Sequence, residues 1–479
     1  MNILALDQGT SATKALLVGP GNEVLGRAEV PVTTTAAGGD GVEADPEELW
    51  RSVVSAGAQA LAAARVPAHA VALANQGETV LAWDKATGKP LSRAIVWQDR
   101  RSAAICERLR GREGELARIS GLPLDPYFAA PKMTWLRENV TDGGVVTTTD
   151  SWLLHRLCGG YVTDAATASR TMLLDLDTTQ WSEQACEAFG LDAGALPRVT
   201  DCAEVIGETA AFGNTAFGNT ASANRPLPVA GIAVDQQAAL YAHGCVRPGD
   251  AKCTYGTGAF LLVTTGEQAA RSSAGLSASV AWRLAGTAAY CLDGQVYTAG
   301  SALRWLTEIG VLTAPADLDQ VAGTVPDAGG VTFVPALAGL GAPQWAPHAR
   351  GQLAGLQLST GPGHIARAVA EGIAASVALL AAAAAADLGG PLTALRVDGG
   401  LTRSRMLLQA QADLLQVPVL ASRTPDATAL GVAALASLAL GEAGSPPAEA
   451  DLTVHPVITS DQAAERMSRY GRSLAFTLS

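Results

Sequence analysis

The sequence predicts an α/β protein of two lobes, and three observations lead to that fold class. An apolar strand over residues 3–6 leads into the turn Gly9-Thr10-Ser11, and a second apolar run follows, which is typical of a β-hairpin. The same order recurs over residues 252–264 around Gly256-Thr257-Gly258, about half of the 479-residue chain later. Helical patterns occupy much of the sequence after each hairpin. Two unrelated Gly-Thr turns in a chain with 51 glycines would also give this repeat.

Composition limits the classes of protein to which the chain can belong. With 48 % apolar and 16 % charged residues, it can bury a large core, unlike a disordered or fibrous protein. A net charge of −12 repels phosphate backbones and no basic cluster offsets it, so we expect no nucleic-acid partner. The 7 cysteines include no Cys-x-x-Cys pair, which argues against disulfides and zinc and favours the cytoplasm.

No segment is predicted to enter a membrane. The N-terminal residues carry no basic stretch and reach Asp7 early, unlike a signal peptide. The most apolar later run, residues 374–386, is about thirteen residues long, which is too short to span a bilayer. We therefore expect no membrane partner.

Capping residues define several helices. Asp45 precedes Pro46 and two glutamates, which predicts a helix over residues 46–64 with Asp45 as its N-cap. Further elements are predicted by periodicity and turn residues: helices over 363–387 and 405–415, and a strand over 417–421.

The lobe boundary is predicted from a change in composition. Residues 211–226 are polar and rich in turn residues, which predicts a mobile loop. The boundary is expected just after this loop, giving an N-terminal lobe of residues 1–243 and a C-terminal lobe of residues 244–479.

The turn after the first strand carries groups that suit a phosphate. Gly9 lets the backbone approach closely, and Thr10 and Ser11 offer donors to phosphate oxygens. Lys14 adds positive charge, and Asp7 is placed to hold Mg²⁺ directly or through water. Because a strand follows this turn instead of a helix, the pattern is neither a dinucleotide fold nor a P-loop. An ordinary hairpin with a capped turn is the alternative.

Three more strand ends carry candidate groups. Asp235 ends the apolar strand over residues 229–234, where a carboxylate can accept the proton of an attacking hydroxyl; a helix N-cap is the alternative. Glu78 follows another strand and could bind the hydroxyls of a polyol, or be a solvated strand end. At Gly399-Gly400 a flat ring could lie against bare backbone, or the chain could simply reverse.

Taken in order, eight phrases resemble those of the FGGY carbohydrate kinases, and within that family most closely the glycerol kinases. They cover almost the whole chain: ALDQGT (5–10), AIVWQDRR (94–101), GLPLDPYF (121–128), ASRTM (168–172), GIAVDQQ (231–237), TYGTG (254–258), GLGAP (339–343) and RVDGG (396–400). The resemblance implies the two-lobed actin-like ATPase fold, each lobe built on a ribonuclease H-like sheet, with the active site in the cleft between the lobes.

The resemblance also implies the reaction, which is the phosphorylation of a terminal hydroxyl of a small polyol by ATP with Mg²⁺. Asp235 is then the general base, and Asp7 lies near the metal ion. The implied nucleotide-binding residues are Thr10, Ser11, Ala12, Lys14, Thr257, Gly300, Arg304, Gly400 and Ser404. Arg304 and Ser404 stand where glycerol kinases usually carry Gln and Asn. Family members often form dimers or tetramers, and no sequence feature decides between a homodimer and a homotetramer.

The implied polyol site contains one departure from the family. Its residues are Gly77, Glu78, Tyr127, Asp235, Gln236 and Phe260. Glycerol kinases have an arginine where this chain has Gly77, and loss of such a charge-assisted contact costs ~1.5–3 kcal/mol. We therefore predict that Gly77→Arg raises activity toward glycerol if the pocket is otherwise shaped for it.

The departure at Gly77 leaves three functions open. The first is glycerol phosphorylation to glycerol 3-phosphate. The second is phosphorylation of a longer polyol or ketose, such as erythritol, xylitol or xylulose, in the vacated volume. The third, from a different class, is a non-catalytic sugar or nucleotide sensor on the same fold.

Overall fold

The computed structural model describes residues 1–212, 225–422, 426–443 and 450–479. The loop predicted over residues 211–226 lies largely outside this described part of the chain.

The first half of the chain alternates strands and helices. Its strands are β1 (Ile3–Gln8), β2 (Ala12–Val18), β3 (Val24–Pro31), β4 (Thr34–Ala36), β5 (Val42–Ala44), β6 (Ala70–Asn75), β7 (Val80–Trp83), β8 (Ala94–Ile95), β9 (Val145–Thr148), β10 (Val162–Asp164), β11 (Leu174–Asp175), β12 (Gln180–Trp181), β13 (Arg198–Thr200), β14 (Val205–Thr209) and β15 (Leu227–Val234). Its helices are α1 (Pro46–Ala64), α2 (Ala103–Leu109), α3 (Glu113–Ser120), α4 (Ala129–Asn139), α5 (Thr149–Cys158), α6 (Ala165–Ser169), α7 (Glu183–Ala188) and α8 (Asp235–Ala242).

The second half has fewer strands and longer helices. Its strands are β16 (Ala251–Tyr255), β17 (Ala259–Gly266), β18 (Ser277–Leu284), β19 (Thr287–Val296), β20 (Thr332–Val334), β21 (Gln352–Ala354), β22 (Leu395–Asp398), β23 (Val419–Ala421) and β24 (Leu452–Val454). Its helices are α9 (Gly300–Glu308), α10 (Leu318–Ala322), α11 (Pro362–Leu388), α12 (Arg405–Leu415), α13 (Ala427–Ala439) and α14 (Ser460–Leu478).

Each half of the chain builds one large mixed sheet. The first sheet is six-stranded in the order β14-β15-β6-β1-β2-β3, and the second is seven-stranded in the order β18-β19-β17-β16-β22-β23-β24. In the first, β1 pairs antiparallel with β2 and parallel with β6. In the second, β16 pairs antiparallel with β17 and parallel with β22. The repeated hairpin of the sequence is therefore part of a repeated sheet.

Two helices fill the space between the sheets. Helix α13 packs against α8 and against β1, β6 and β15 of the first sheet, although it lies near the C-terminal end of the chain. The two helices approach closely at Gly431, where a Cβ atom would lie 1.9 Å from the backbone oxygen of Ala238. This crossing fixes the N-terminal end of α8, which begins with Asp235, at the base of the cleft.

Local signals predict these helix bounds closely: α12 spans the predicted residues 405–415, and α11 differs from the predicted 363–387 by one residue at each end. Helix α1 spans the predicted residues, and the Asp45 side chain accepts a hydrogen bond from the Glu47 backbone N–H at 3.0 Å. Helix α11 has 27 residues, so it is longer than the apolar run over 374–386, and the argument that this segment is too short for a membrane is wrong. By length and composition α11 could cross a membrane, but 72 % of its apolar window is buried inside the second lobe, as in the core helix of a globular protein.

Candidate active site

Strand ends from both sheets meet at the cleft. Strands β1, β6 and β15 are parallel neighbours, so their carboxyl ends share one edge of the first sheet. Asp7 lies near the end of β1, Glu78 lies just beyond β6, and Asp235 follows β15. Strands β16 and β22 bring Thr254 and Asp398 to the same cleft from the second sheet. The topology therefore gathers residues that are far apart in sequence.

The cleft contains two cavities. One, of about 440 Å³, is lined by Asp7, Lys14 and the glycines Gly256, Gly399 and Gly400, and we call it the glycine-rich cavity. The other, of about 330 Å³, is lined by Glu78, Asp235 and Asp293, and we call it the carboxylate cavity. Because the consecutive residues Gly256 and Thr257 line one cavity each, the two cavities adjoin at this turn.

A buried ion-pair network forms one wall of the carboxylate cavity. The guanidinium of Arg170 lies with Nε 2.7 Å from Oε1 of Glu78 and Nη1 2.8 Å from Oδ2 of Asp293. Arg170 and Glu78 belong to the first half of the chain and Asp293 lies on β19 of the second, so the network joins the lobes. Glu78 has φ +59, in the left-handed region that favours glycine, so the surrounding contacts must hold its backbone. The carboxylate of Glu78 is thereby fixed at the cavity.

Asp235 has the electrostatics of a general base. It is the first residue of α8 and not its N-cap, which is Val234. Burial raises its pKa to about 7, the nearby carboxylates of Asp7 and Glu78 add to this, and the ammonium of Lys252 opposes it. A base with a pKa near the working pH is well matched to accepting a proton from an alcohol.

Aromatic side chains form a second wall of this cavity. Trp97 contacts Tyr127 and Phe260 edge to face, with ring centroids 5.8 and 6.2 Å apart. Its indole N–H donates to Oγ1 of Thr10 at 2.8 Å, and that hydroxyl donates to Oε1 of Gln76 at 3.0 Å. The Thr10 hydroxyl is therefore already hydrogen-bonded to two side chains of the protein. The group of Thr10 that can donate to a phosphate is its backbone N–H.

A buried lysine supports the aromatic wall. Lys132 is fully buried, and its ammonium donates to the backbone oxygens of Pro126, Tyr127 and Phe128, at 2.9, 2.5 and 2.7 Å. Three carbonyl acceptors use all three donors of an ammonium. Burial lowers the pKa of Lys132 to about 8. The segment that carries Tyr127 is thus held by one side chain from the next helix.

The glycine-rich cavity combines the bare backbone of three glycines with charged side chains, among them Asp398, which is hydrogen-bonded to His243 at 2.6 Å. Gly399 has φ +94, and a Cβ atom there would lie 2.4 Å from the backbone oxygen of Tyr255, so only glycine fits. Asp7 and Lys14 are cross-strand neighbours on β1 and β2. Burial raises the pKa of Asp7 to about 6, while the charge of Lys14 opposes the shift.

Comparison with known proteins decides the family. The FGGY family of carbohydrate kinases matches with its N-terminal domain over residues 2–242 and with its C-terminal domain over residues 251–440. The chain belongs to the FGGY family of carbohydrate kinases. It is therefore an ATP-dependent kinase, and the predicted family, fold class and enzyme class are confirmed.

Relatives within the family share nearly the full length of this kinase. A glycerol kinase of Alkalilimnicola ehrlichii is 42 % identical, with 98 % of this chain and 97 % of the relative covered. A glycerol kinase of Myxococcus xanthus is 41 % identical, with 98 % of each covered. The crystal structure of Plasmodium falciparum glycerol kinase with ADP superposes with a TM-score of 0.90 at 28 % identity, covering 100 % of this chain and 98 % of that one. A xylulose kinase of Rhodospirillum rubrum shares the fold, with a TM-score of 0.85 at 24 % identity and 99 % and 98 % covered.

The structure brings most of the predicted site residues of this kinase together. All six predicted polyol-site residues line the carboxylate cavity: Gly77, Glu78, Tyr127, Asp235, Gln236 and Phe260. Of the predicted nucleotide-site residues, Lys14 and Gly400 line the glycine-rich cavity with Asp7. Thr10, Ser11, Thr257 and Arg304 line the carboxylate cavity. Their roles remain predictions.

Three predicted nucleotide-site residues, Ala12, Gly300 and Ser404, line neither cavity. Ser404 is the N-cap of α12, where its hydroxyl accepts from the Leu407 N–H at 3.1 Å and also bonds Asp319. Gly300 begins α9, and a Cβ atom there would lie 2.6 Å from the backbone oxygen of Gly256. Gly300 thus supports the turn that separates the cavities.

The space beside Gly77 is occupied. A Cβ atom at position 77 would lie 2.9 Å from the Cγ2 methyl of Val234, which also lines the carboxylate cavity. An arginine at this position therefore needs Val234 to move. This geometry does not support the expected gain in glycerol activity from Gly77→Arg alone, because the Val234 methyl lies where the new side chain would begin.

Four residues important to the site were given no role from sequence: Trp97, Lys132, Arg170 and Lys252. Trp97 and Arg170 lie within phrases that carry the family resemblance. Lys252 is a lone charge inside the buried strand β16, and such a residue needs partners. A single charged residue in an otherwise apolar strand is the sequence signal that could have identified Lys252.

Proposed function

We propose that this kinase transfers the terminal phosphoryl group of ATP to a primary hydroxyl of glycerol, giving glycerol 3-phosphate and ADP. The observation that carries the proposal is the placement of Asp235 beside the fixed Glu78 carboxylate, in the cavity that adjoins the glycine-rich one. The glycerol kinases that are 42 and 41 % identical over nearly the whole chain support glycerol as the acceptor.

The carboxylate cavity supplies acceptors for the polyol. Glu78, held by Arg170, accepts the O–H of one hydroxyl, and Asp235 accepts the O–H of the attacking hydroxyl. As the alcohol oxygen forms its bond to the terminal phosphorus, its proton passes to Asp235, and the bond from phosphorus to the bridging oxygen of ADP breaks. Positioning of the two reactants provides much of the rate in such a transfer.

The phosphate tail of ATP is expected between the two hairpin turns. The turn over residues 9–11 and the turn over residues 256–258 face the cleft from opposite sheets, and Lys14 adds a positive charge from β2. The bare backbone at Gly399 and Gly400 offers a flat surface for the adenine. Arg304, which has no ion pair with any described residue, adds a guanidinium at the edge of the carboxylate cavity.

The residues at the glycine-rich cavity fit Mg²⁺. This ion is commonly held through one or two carboxylates, waters and substrate phosphates, without an all-protein cage. No cluster of three or more metal-binding side chains occurs among the described residues. The Asp7 carboxylate lines this cavity beside Lys14 and makes no side-chain hydrogen bond with another described residue, so it is available to a cation, and burial raises its pKa to about 6. We propose Asp7 as its ligand, direct or through water; the bound ion would neutralise charge on the phosphates.

A longer polyol or ketose is the second candidate substrate, and Gly77 favours it. With glycine at this position no arginine fork contacts the substrate, and the wall there is the apolar surface of Val234. A four- or five-carbon substrate could extend along this wall.

A substrate panel tests the proposal. ADP release is measured with glycerol, erythritol, xylitol, xylulose and ribulose, with ATP alone as the control for hydrolysis. We expect the largest kcat/KM with glycerol and a product phosphorylated on a primary hydroxyl. A larger value with a five-carbon substrate would establish the second candidate. Binding of ATP without turnover of any panel member would instead support the sensor.

We further propose that the enzyme works in the cytoplasm. The 7 cysteines are all free thiols in the structure, and six of them are buried, which suits a reducing compartment.

A further inference from the structure

Lys252 lies between the two cavities of the active site. It projects from β16, is fully buried, and has two hydrogen-bond acceptors. Its Nζ is 2.6 Å from Oε1 of Gln236, which lines the carboxylate cavity, and 2.8 Å from Oγ1 of Thr254, which lines the glycine-rich cavity. One ammonium therefore ties together the walls of both cavities.

The bond from Lys252 determines which way the Gln236 amide faces. A side-chain amide carries one acceptor and one donor group, which can exchange places by a flip about the last torsion. An ammonium only donates, so it accepts no bond from the amide N–H₂ and selects the orientation with Oε1 toward Lys252. The N–H₂ group is then the part of the amide left for the carboxylate cavity.

That orientation complements the carboxylates. Glu78 and Asp235 only accept when ionised, so they can bind the hydrogens of polyol hydroxyls but not the oxygens. Each hydroxyl also has oxygen lone pairs that need a donor. Gly77 has no side-chain donor, and the guanidinium of Arg170 forms ion pairs with Glu78 and Asp293. A donor fixed at Gln236 meets this need.

We propose that Lys252 is a positioning residue for substrate binding, acting from the second lobe to hold the Gln236 amide with its N–H₂ group toward the polyol. This inference rests on the proposed function, since it requires a hydroxylated substrate in the carboxylate cavity. Lys252 itself contacts no substrate in this scheme.

A double-mutant cycle between the two residues tests the proposal. Lys252→Met and Gln236→Ala are each expected to raise KM for the polyol by about tenfold, the loss of one hydrogen bond with a fixed donor. Measured at about pH 9, where Asp235 is largely ionised with or without the nearby ammonium, the double variant is expected to have the same KM as Gln236→Ala, because Lys252 then acts through Gln236. KM for ATP should stay within about twofold of wild type in all three.

Other outcomes would overturn the proposal. If the two effects multiply in the double variant, Lys252 acts independently of Gln236. If Lys252→Met raises KM for ATP and not for the polyol, it serves the glycine-rich cavity instead. Gln59→Met, at an exposed amide on α1, controls for loss of an amide and should behave as wild type.

The test also covers a variant that does not fold and a preferred substrate other than glycerol. If Lys252→Met does not fold, as judged by circular dichroism, Gln236→Met is measured alone with the buried lysine in place. A wild-type polyol KM in that variant would remove Gln236 as a donor and sink the proposal. The cycle uses whichever polyol of the panel the wild-type enzyme phosphorylates best, so a substrate other than glycerol corrects the proposed function and leaves this test intact.

Discussion

The two cavities of the cleft differ in how their polar groups are held. In the carboxylate cavity, Glu78, Arg170 and Asp293 form a closed ion-pair network, and Gln236 is bonded to Lys252. In the glycine-rich cavity, Asp398 is bonded to His243 and Arg27 pairs with Asp426, but Asp7 and Lys14 make no side-chain hydrogen bond with another described residue, and three of the lining residues are glycines.

This difference follows from what each cavity has to recognise. A small neutral polyol brings few interactions, so the protein must hold each acceptor and donor in place before binding. A nucleotide with its metal ion brings its own strong charges, and glycine backbone lets them approach. Changes at the polyol-site residues of the carboxylate cavity should therefore act on the polyol and on catalysis, with little effect on ATP.

The largest effect is expected at the general base. Asp235→Asn keeps the size of the side chain but removes its ability to take a proton, so kcat should fall by about 10²–10⁴-fold. Binding of ATP and polyol, measured by calorimetry, should persist. Asp142→Asn at an exposed position is the matched control. Wild-type turnover in Asp235→Asn would remove Asp235 from its role.

The next effect tests the ion-pair network. Arg170→Met leaves Glu78 and Asp293 as buried carboxylates without a cation, which should lower the free energy of unfolding by about 3–5 kcal/mol. Chemical denaturation measures it, and the exposed pair partner Arg108→Met should lose less than about 1 kcal/mol.

The loss in Arg170→Met should also depend on pH. Burial raises the pKa of Asp293 to about 6 even with Arg170 present, and removal of the cation raises it further. A carboxyl with a pKa higher in the folded than in the unfolded state costs stability as the pH rises and it ionises. The destabilisation should therefore be larger at about pH 8 than at about pH 5, and an equal loss at both would argue against an ionised network.

A smaller effect tests the wall at Gly77. Gly77→Arg combined with Val234→Ala removes the methyl that a Cβ atom would meet and adds a donor fork. The double variant should lower KM for glycerol by about tenfold, whereas Gly77→Arg alone should bind glycerol no better than wild type. Equal KM values in the single and double variants would show that Val234 does not control this wall.

An effect of similar size concerns the pH dependence of the wild-type enzyme. With the pKa of Asp235 at about 7, kcat/KM for the polyol should rise with pH as the carboxyl ionises, and be about tenfold lower one pH unit below that midpoint than at its plateau. Because Asp7 is coupled to it, the midpoint belongs to the pair. A flat profile between about pH 6 and 8 would contradict the raised pKa.

Local sequence patterns account for much of the fold. Asp45, Pro46 and the following glutamates predict helix α1 correctly, because capping depends on residues within one turn. Asp7, Glu78 and Asp235 could be singled out because each follows an apolar strand. The bounds of α11 were predicted to within one residue at each end, but its apolar character extends well beyond residues 374–386, because most of the helix is buried in the second lobe.

The sequence by itself determined the family, the repeated hairpins and the strand ends that carry the carboxylates, since all of these are encoded in short contiguous phrases. Only the tertiary structure decided how those groups are held. Arg170 and Glu78 are 92 residues apart, and Lys252 reaches Gln236 from the other lobe. The methyl of Val234 meets position 77 across neighbouring strands. Such contacts depend on how distant elements pack, and burial makes each of them energetically important.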